Sequence, residues 1–260
     1  MARLLIGLVI ALFAVFSYFR TTTENPLTGE KQRVALNPEQ EIALGYKSAP
    51  EMAAQMGGLS KDERARALVR RLGEQLVAKS VASRSPYKYS FHVLADPRTV
   101  NAFALPGGPI FITEALLNAL KTEGQVAAVL GHEIGHVIAR HSSERLAKQQ
   151  LMQGLLSAVV VGTGDFTSAQ IGQMVGSMIT MKYGREDELE ADALGVRIVA
   201  EAGYDPRGMI AVMETLARVS GSSRQPEFVS THPAPENRAA RIKEAIAKQF
   251  PNGVPQGLVQ

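Results

Sequence analysis

The apolar positions of this chain change period several times, and each change marks a predicted element. Leu4 to Phe19 is a run of sixteen uncharged residues between Arg3 and Arg20. A membrane span wants about 17–25 residues, so the run is slightly short, but its terminal aromatics and flanking arginines suit the two interfaces. A cleaved signal would carry small residues near its end, where this chain has bulky Phe16, Tyr18 and Phe19. Residues 1–20 therefore read as an uncleaved membrane anchor, with a secretory signal as the other reading. Residues 21–37 are polar, hold Pro26 and Gly29, and predict a linker. Asn37-Pro38 has the chemistry of an N-cap followed by a first helical position. Leu68, Val69, Leu72, Leu76 and Val77 line one side of a helix over about 60–80.

Farther along, Tyr87 to Leu94 and Ile110 to Thr113 predict strands, and the apolar stretch Val100–Leu105 between them runs into Pro106-Gly107-Gly108, a turn. Val126, Val129, Leu130, Ile134, Val137 and Ile138 recur at helical spacing and predict an amphipathic helix, with Thr122 and Gln125 as a capping box at its start. The apolar stretches 151–161 and 171–181 flank a Gly-Thr-Gly-Asp turn. Each is too short to cross a bilayer and predicts one arm of a helical hairpin packed beside a cleft. Helices follow at about 183–203, 206–220 and 234–249, the first stopped by Gly203, and 251–260 reads as a flexible tail. The fold class is α+β: a mostly helical domain over 38–250 with a small β-sheet, preceded by an anchor and a linker.

Composition narrows the function classes. At 260 residues and 45% hydrophobic content, one domain with a sizeable core is expected. The net charge is +3, with dispersed basic residues and no Trp, which argues against a nucleic-acid surface. No cysteine is present, so disulfides and a lipid-bearing N-terminal cysteine are excluded. That fits a location outside the cytoplasm without establishing it.

The candidate chemistry sits in the helix predicted around 122–138. His132-Glu133-Ile134-Gly135-His136 puts two imidazoles four residues apart on one helical face, where both reach one metal ion. Glu133 then lies beside a metal-held water, the arrangement of a zinc peptidase with a glutamate base. A catalytic zinc usually takes a third protein ligand. His141 lies five residues past His136, about 140° around the helix, and should point elsewhere as a solvated or supporting histidine. Glu188 and Asp192 are the better candidates, four apart and sharing a face with Ala191 and Gly195, whose small size permits close approach. Glu188 suits a ligand, and Asp192 suits the acceptor of a ligand histidine's second N–H.

These residues carry a resemblance to the membrane and periplasmic zinc endopeptidases that include the CAAX prenyl endopeptidases and the HtpX, BepA and LoiP proteases. His132, Glu133 and His136 match the first motif of that family, and Glu188, Ala191 and Asp192 match its E-x-x-A-D. Arg185 matches an arginine that often precedes the second motif, although Gly184 stands where a serine is usual. The stretch Asn101-Ala102-Phe103-Ala104-Leu105-Pro106-Gly107-Gly108 resembles the family's substrate-edge segment, and Thr231-His232-Pro233 through Arg238 resembles its C-terminal histidine motif. The likeness spans roughly residues 26–250.

The resemblance implies a zincin-like fold, one zinc ion held by His132, His136 and Glu188, and Glu133 as base. It further implies His232 near the metal, as an oxyanion stabiliser or as a cap at rest, and Arg238 as an orienting residue. Asn101, Ala102 and Phe103 would bind an extended polypeptide substrate along a strand edge. The expected function is a membrane-anchored zinc endopeptidase of misfolded or membrane-associated envelope proteins, at a bacterial-type inner membrane with its catalytic domain outside the cytoplasm. The competing reading is a membrane-anchored chaperone or scaffold with a non-catalytic zinc.

Overall fold

The computed structural model describes residues 2–163, 183–220, 228, 230, 232 and 237–260. In chain order these form α1 (Ala2–Arg20), β1 (Thr22–Glu24), β2 (Lys31–Arg33), α2 (Pro38–Gln55), α3 (Glu63–Lys79), β3 (Ser90–Leu94), β4 (Ala102–Ala104), β5 (Pro109–Thr113) and α4 (Glu114–Ala119). Then come α5 (Glu123–Ile138), α6 (His141–Thr163), α7 (Arg185–Glu201), α8 (Gly208–Ser220) and α9 (Arg238–Gln249). The chain divides into two compact units, Met1–Asn37 with Arg140–Lys182, and Pro38–Ala139 with Tyr183–Gln260.

In the first unit, α1 packs along α6. The stretch read from composition as a linker is an ordered hairpin, with β1 and β2 antiparallel in the register Thr22↔Arg33. Local polar chemistry closes it: the Asn25 carboxamide accepts from the Leu27 and Thr28 amides at 2.9 and 3.3 Å, and Gly29 takes φ 77°. Glu144 of α6 then accepts the Arg33 amide at 3.2 Å. The first arm of the expected apolar hairpin, 151–161, is the second half of the longer α6, which starts at His141. The second arm, 171–181, lies outside the described residues.

The second unit is the α+β part. Its three-stranded sheet runs β3-β5-β4, with β3 parallel and β4 antiparallel to β5, so β4 is an edge. The Pro-Gly-Gly turn that links β4 to β5 sits against α2, where a Cβ at Gly107 would come within 2.3 Å of the Ile42 backbone. Leu72 and Leu76 of α3, Leu94, Ile110 and Ile112 of the sheet, and Leu130, Ile134 and Ile138 of α5 form the core. α5 passes between α3, α7, α8 and β4. The pattern predicts an amphipathic α5, but every residue from Gly124 to Ile138 is buried. Glycines, histidines and a glutamate occupy its remaining faces, so the interior there is tightly packed and polar rather than solvated.

α7 ends as Gly203 turns to φ 88°, with the Gly203 amide bonded to the Ala200 carbonyl and the Tyr204 amide to the Val199 carbonyl, a Schellman stop. The expected flexible tail docks at that stop. The Asp205 amide donates to the Val259 carbonyl at 2.9 Å, and the Val259 amide donates to the Gly203 carbonyl at 3.1 Å.

Candidate metal centre

Two helices set the geometry. α5 begins at Thr122, whose hydroxyl accepts the Gln125 amide at 3.2 Å. The other half of the expected capping box goes elsewhere, since the Gln125 side chain accepts the Lys121 amide instead. α7 begins at Gly184, whose amide donates to the Asp187 carboxylate at 2.8 Å. The two helices meet through Gly131, Gly135, Ala191 and Gly195; a Cβ at Gly135 would lie only 2.8 Å from the Ala191 carbonyl oxygen. That approach brings Glu188 and Asp192 up to the two histidines of α5.

His132, His136, Glu188 and His232 each offer a donor atom within 4.8 Å of the others, all buried. His132 Nε2 lies 3.0 Å from His136 Nε2 and 3.4 Å from His232 Nδ1. Glu188 Oε2 is 3.4 Å from His132 Nε2, and Oε1 is 3.5 Å from His136 Nε2 and 2.9 Å from His232 Nδ1. A tetrahedral ion with bonds of about 2.0–2.1 Å spaces its donors roughly 3.3 Å apart, close to this set. Three imidazole nitrogens and a carboxylate oxygen gathered at this range are the nitrogen- and oxygen-donor set that a divalent cation takes. The residues therefore fit a divalent metal ion.

A ring of polar contacts fixes these donors. His132 Nδ1 is 2.9 Å from Asp192 Oδ1, which leaves Nε2 to face the cluster. Arg238 donates Nε to Asp192 Oδ2 at 2.7 Å and a second N–H to Oδ1 at 2.9 Å, and its Nη1 is 3.2 Å from Glu188 Oε2. Arg238 thus aligns the two α7 carboxylates. The carboxylate of Glu133 is fully buried and neither oxygen makes a hydrogen bond among the described residues; His232 Nε2 lies 3.7 Å from Oε1.

The titration of these groups follows from that geometry. Burial disfavours charge on His132, but its hydrogen bonds to Asp192 and Glu188 outweigh burial and raise its pKa to about 9 in the metal-free protein. Burial pushes Asp192 up as well, and the hydrogen bond from His132 together with Arg238 more than reverses that, holding it below the ordinary carboxylate range. Glu188 is likewise held low against its burial by His132 and His232. Glu133 goes the other way: desolvation raises its pKa, and the nearby His232 and His132 only partly oppose it. A carboxyl poised upward in a closed site has the character of a proton-transfer group.

Most residues singled out in the sequence converge here. Asn101, Ala102 and Phe103 lie at the edge strand β4, which packs beside α5. Asn101 and Ala102 are buried, and Phe103 is half-buried and stacked on Phe111 with centroids 5.0 Å apart. His141 is not among the clustered donors. Arg140 at φ 60° ends the continuity of α5, and His141 opens α6, buried rather than solvated. Thr231 and Pro233–Glu236 of the histidine motif lie outside the described residues. Two aromatics escaped the sequence reading. Tyr183 stacks on His136 at 4.1 Å, and Phe228 stacks on His232 at 4.5 Å while its amide donates to the Val100 carbonyl just before β4. The only local signal for Tyr183 is its place one residue ahead of the α7 cap.

Comparison with known proteins agrees with this geometry. Residues 63–246 match the model of peptidase family M48. The mitochondrial metalloendopeptidase OMA1 of Arabidopsis thaliana is 36% identical over 147 residues, 56% of this chain and 29% of that protein. Its Schizosaccharomyces pombe namesake is 32% identical over 177 residues, covering 68% and 51%. The beta-barrel assembly-enhancing protease of Yersinia pestis is 30% identical over 237 residues, covering 87% and 48%. The chain thus spans about half or less of the length of these relatives. With both helical motifs converging on one buried cluster and the family match running through α3 to α9, the chain belongs to peptidase family M48.

Proposed function

We propose that the protein is a zinc-dependent endopeptidase in which His132, His136 and Glu188 hold the ion and Glu133 is the base. The observation that carries the reading is the buried Glu133 carboxylate, unpaired by hydrogen bonds and adjoining a donor cluster that fits a divalent ion. The nitrogen- and oxygen-donor set suits zinc. When bound, the ion supplies Lewis acidity to the scissile carbonyl and makes an attacking water more acidic. Glu133 takes the proton of that water and returns it to the leaving amine. Asp192 holds His132 in the tautomer whose Nε2 faces the ion, and Arg238 aligns Asp192 with Glu188. Asn101, Ala102 and Phe103 present the edge strand β4, on which an extended substrate backbone would add as a further strand.

His232 is the residue that separates two readings. Its Nδ1 lies 3.4 Å from His132 Nε2 and 2.9 Å from Glu188 Oε1, so with zinc held by the other three residues it would be a fourth donor, which supports a cap that must leave before substrate is cleaved. Four protein donors also suit a structural ion, the alternative of an anchored chaperone or scaffold. The base favours the peptidase, because a structural site has no use for a buried Glu133 whose oxygens accept no hydrogen bond among the described residues. The deciding experiment is Glu133→Gln with metal analysis and cleavage of unfolded casein. Retained metal with lost cleavage, and chelator-sensitive cleavage by the unaltered protein, are expected; wild-type cleavage by the variant would remove Glu133 from the mechanism.

The working place we infer is a membrane surface facing away from the cytoplasm, with misfolded or membrane-associated envelope proteins as substrates. α1 supports the membrane part: it is 19 residues long with a mean hydropathy of 2.2 over its most apolar window and is almost wholly exposed. The substrate class rests on similarity to an assembly-enhancing protease and on the sequence resemblance. Protection of α1 from protease in sealed vesicles, with the second unit (Pro38–Ala139 and Tyr183–Gln260) digestible from one side, tests the topology.

A further inference from the structure

We propose that the apolar half of α6, Leu151–Gly162, lies in the lipid bilayer beside α1, so that the attachment is an antiparallel helix pair. The inference rests on α1 being a membrane anchor and extends it to a second element. Gly154, Ala158 and Gly162 recur every four residues along one face of α6. A Cβ at Gly7 of α1 would lie 2.6 Å from the Ala158 carbonyl oxygen and 3.0 Å from Gly162 Cα, and a Cβ at Gly154 would lie 2.6 Å from Ala14 Cβ. Backbones that meet through small residues at this spacing are the way helices pack in lipid, where apolar side chains gain nothing by leaving the solvent.

The outer sides of the pair are also suited to lipid. Leu4, Leu5, Ile6, Leu8, Val9 and Leu12 of α1 are exposed, as are Phe13 at 70% and Val159 of α6 at 58%. In water this would be a continuous apolar face far larger than scattered surface residues make. Leu151 to Gly162 carries no charge, and the Ser157 hydroxyl is satisfied internally by the Gln153 carbonyl at 2.9 Å.

Charge returns on both helices at the same end. Beyond the Ala14–Gly154 crossing, α1 runs into Phe16, Tyr18, Phe19 and Arg20, with the Arg33 guanidinium 5.3 Å and 4.9 Å from the Tyr18 and Phe19 rings and that of Arg20 5.8 Å from Phe16. On α6 the same direction leads to exposed Lys148 and to Glu144, which accepts the Arg33 amide. Aromatic rings under basic groups form the belt expected at lipid headgroups. The twelve residues Leu151–Gly162 measure about 18 Å of helix against about 28 Å for α1, so α6 accompanies α1 for most of a bilayer core. A Cβ at Gly162 would lie 4.0 Å from Leu4 Cδ2, near the far end of α1.

The absence of native cysteine makes the test direct. Full-length Leu8→Cys, Lys148→Cys and Val159→Cys are labelled with an environment-sensitive fluorophore and reconstituted into phosphatidylcholine–phosphatidylglycerol vesicles with or without doxyl-labelled lipid. All three positions are exposed, so the substitutions leave packing intact. Blue-shifted emission and quenching at positions 8 and 159, with unquenched, maleimide-reactive 148, are expected. Quenching at 8 with 159 behaving like 148 would overturn the α6 proposal while sparing the anchor. No quenching at 8 would remove the anchor itself. Disulfide dimers through position 159 without lipid quenching would mean that a second copy covers this face, which also overturns it.

Discussion

Replacing Gly135 by Ala should weaken the metal site from the helix backbone, without touching a donor. The built Cβ lies 2.8 Å from the Ala191 carbonyl oxygen and 3.2 Å from Ala191 Cα, where ordinary contact begins at 3.4 Å. Neither neighbour is a side-chain end that can swing away, so α5 and α7 must part by roughly half an ångström. Overpacking of this kind costs about 1–3 kcal/mol, and the better helix propensity of Ala returns about 1 kcal/mol. The metal-free variant should therefore be between neutral and about 2 kcal/mol less stable in urea denaturation. The larger effect falls on the ion, because Glu188 and Asp192 ride on α7 while His132 and His136 ride on α5. Metal sites tolerate about 0.2 Å of donor displacement, so chelator competition should read an affinity loss of tenfold or more. Gly131→Ala is the control: its tight contact is the Val199 methyl at 2.8 Å, with the Gly195 carbonyl at 3.4 Å, so a side chain yields instead of a backbone. Wild-type metal affinity in Gly135→Ala, together with a gain of the full helix propensity, would refute the argument that the glycine face sets the donor spacing.

Other outcomes follow from the same cluster. Asp192→Asn should lower metal affinity by about 10–100-fold with the fold intact, since it releases the His132 tautomer; equal chelator competition curves would count against it. Because His132 holds a proton up to about pH 9 in the metal-free protein, metal binding below that pH must expel it. Affinity should rise about tenfold per pH unit from 7 toward 9, with proton release seen by calorimetry in buffers of different ionisation heat. The same raised pKa makes the His132 contribution to metal-free stability fully present below about pH 6.5 and lost as pH climbs through 9, so stability and metal affinity should move in opposite directions. His232→Ala should speed casein cleavage if the residue caps the ion, whereas a fall of about a hundredfold would mark an oxyanion contact instead. Deleting residues 258–260 removes two backbone hydrogen bonds to the α7 stop and should cost about 2 kcal/mol in thermal or urea unfolding.

The convergence of the donor side chains of α5 and α7 is legible in the sequence because its information is local. Two i,i+4 pairs, His132 with His136 and Glu188 with Asp192, need only a helix to bring each pair together, and the small residues between them advertise the close crossing. The strands and most helix limits followed from periodicity and caps. What escaped was held by distant partners. The 21–37 hairpin depends on Glu144, more than a hundred residues away, and the tail on backbone groups exposed by the Gly203 stop. The first half of α6 is polar, so the apolar pattern predicts only its second half as an arm, although the helix is continuous. Tyr183 and Phe228 act as stacking walls only after folding sets them against histidines from other segments. Arg238 is an orienting residue in the sequence reading, and the structure shows it spanning both α7 carboxylates, a partnership that no spacing rule predicts.

The complete burial of α5 has a consequence for how the protein opens. A helix with one wet face can fray or detach while the rest of a domain stays folded. α5 has no such face from Gly124 to Ile138, and it is wedged among α3, α7, α8 and β4. Its amides should exchange with solvent only when the whole second unit unfolds, so their exchange rates read the global free energy of that unit. The peptide carrying the two histidines is thereby the last to yield, and His132 and His136 stay on one face of an intact helix for as long as the second unit is folded.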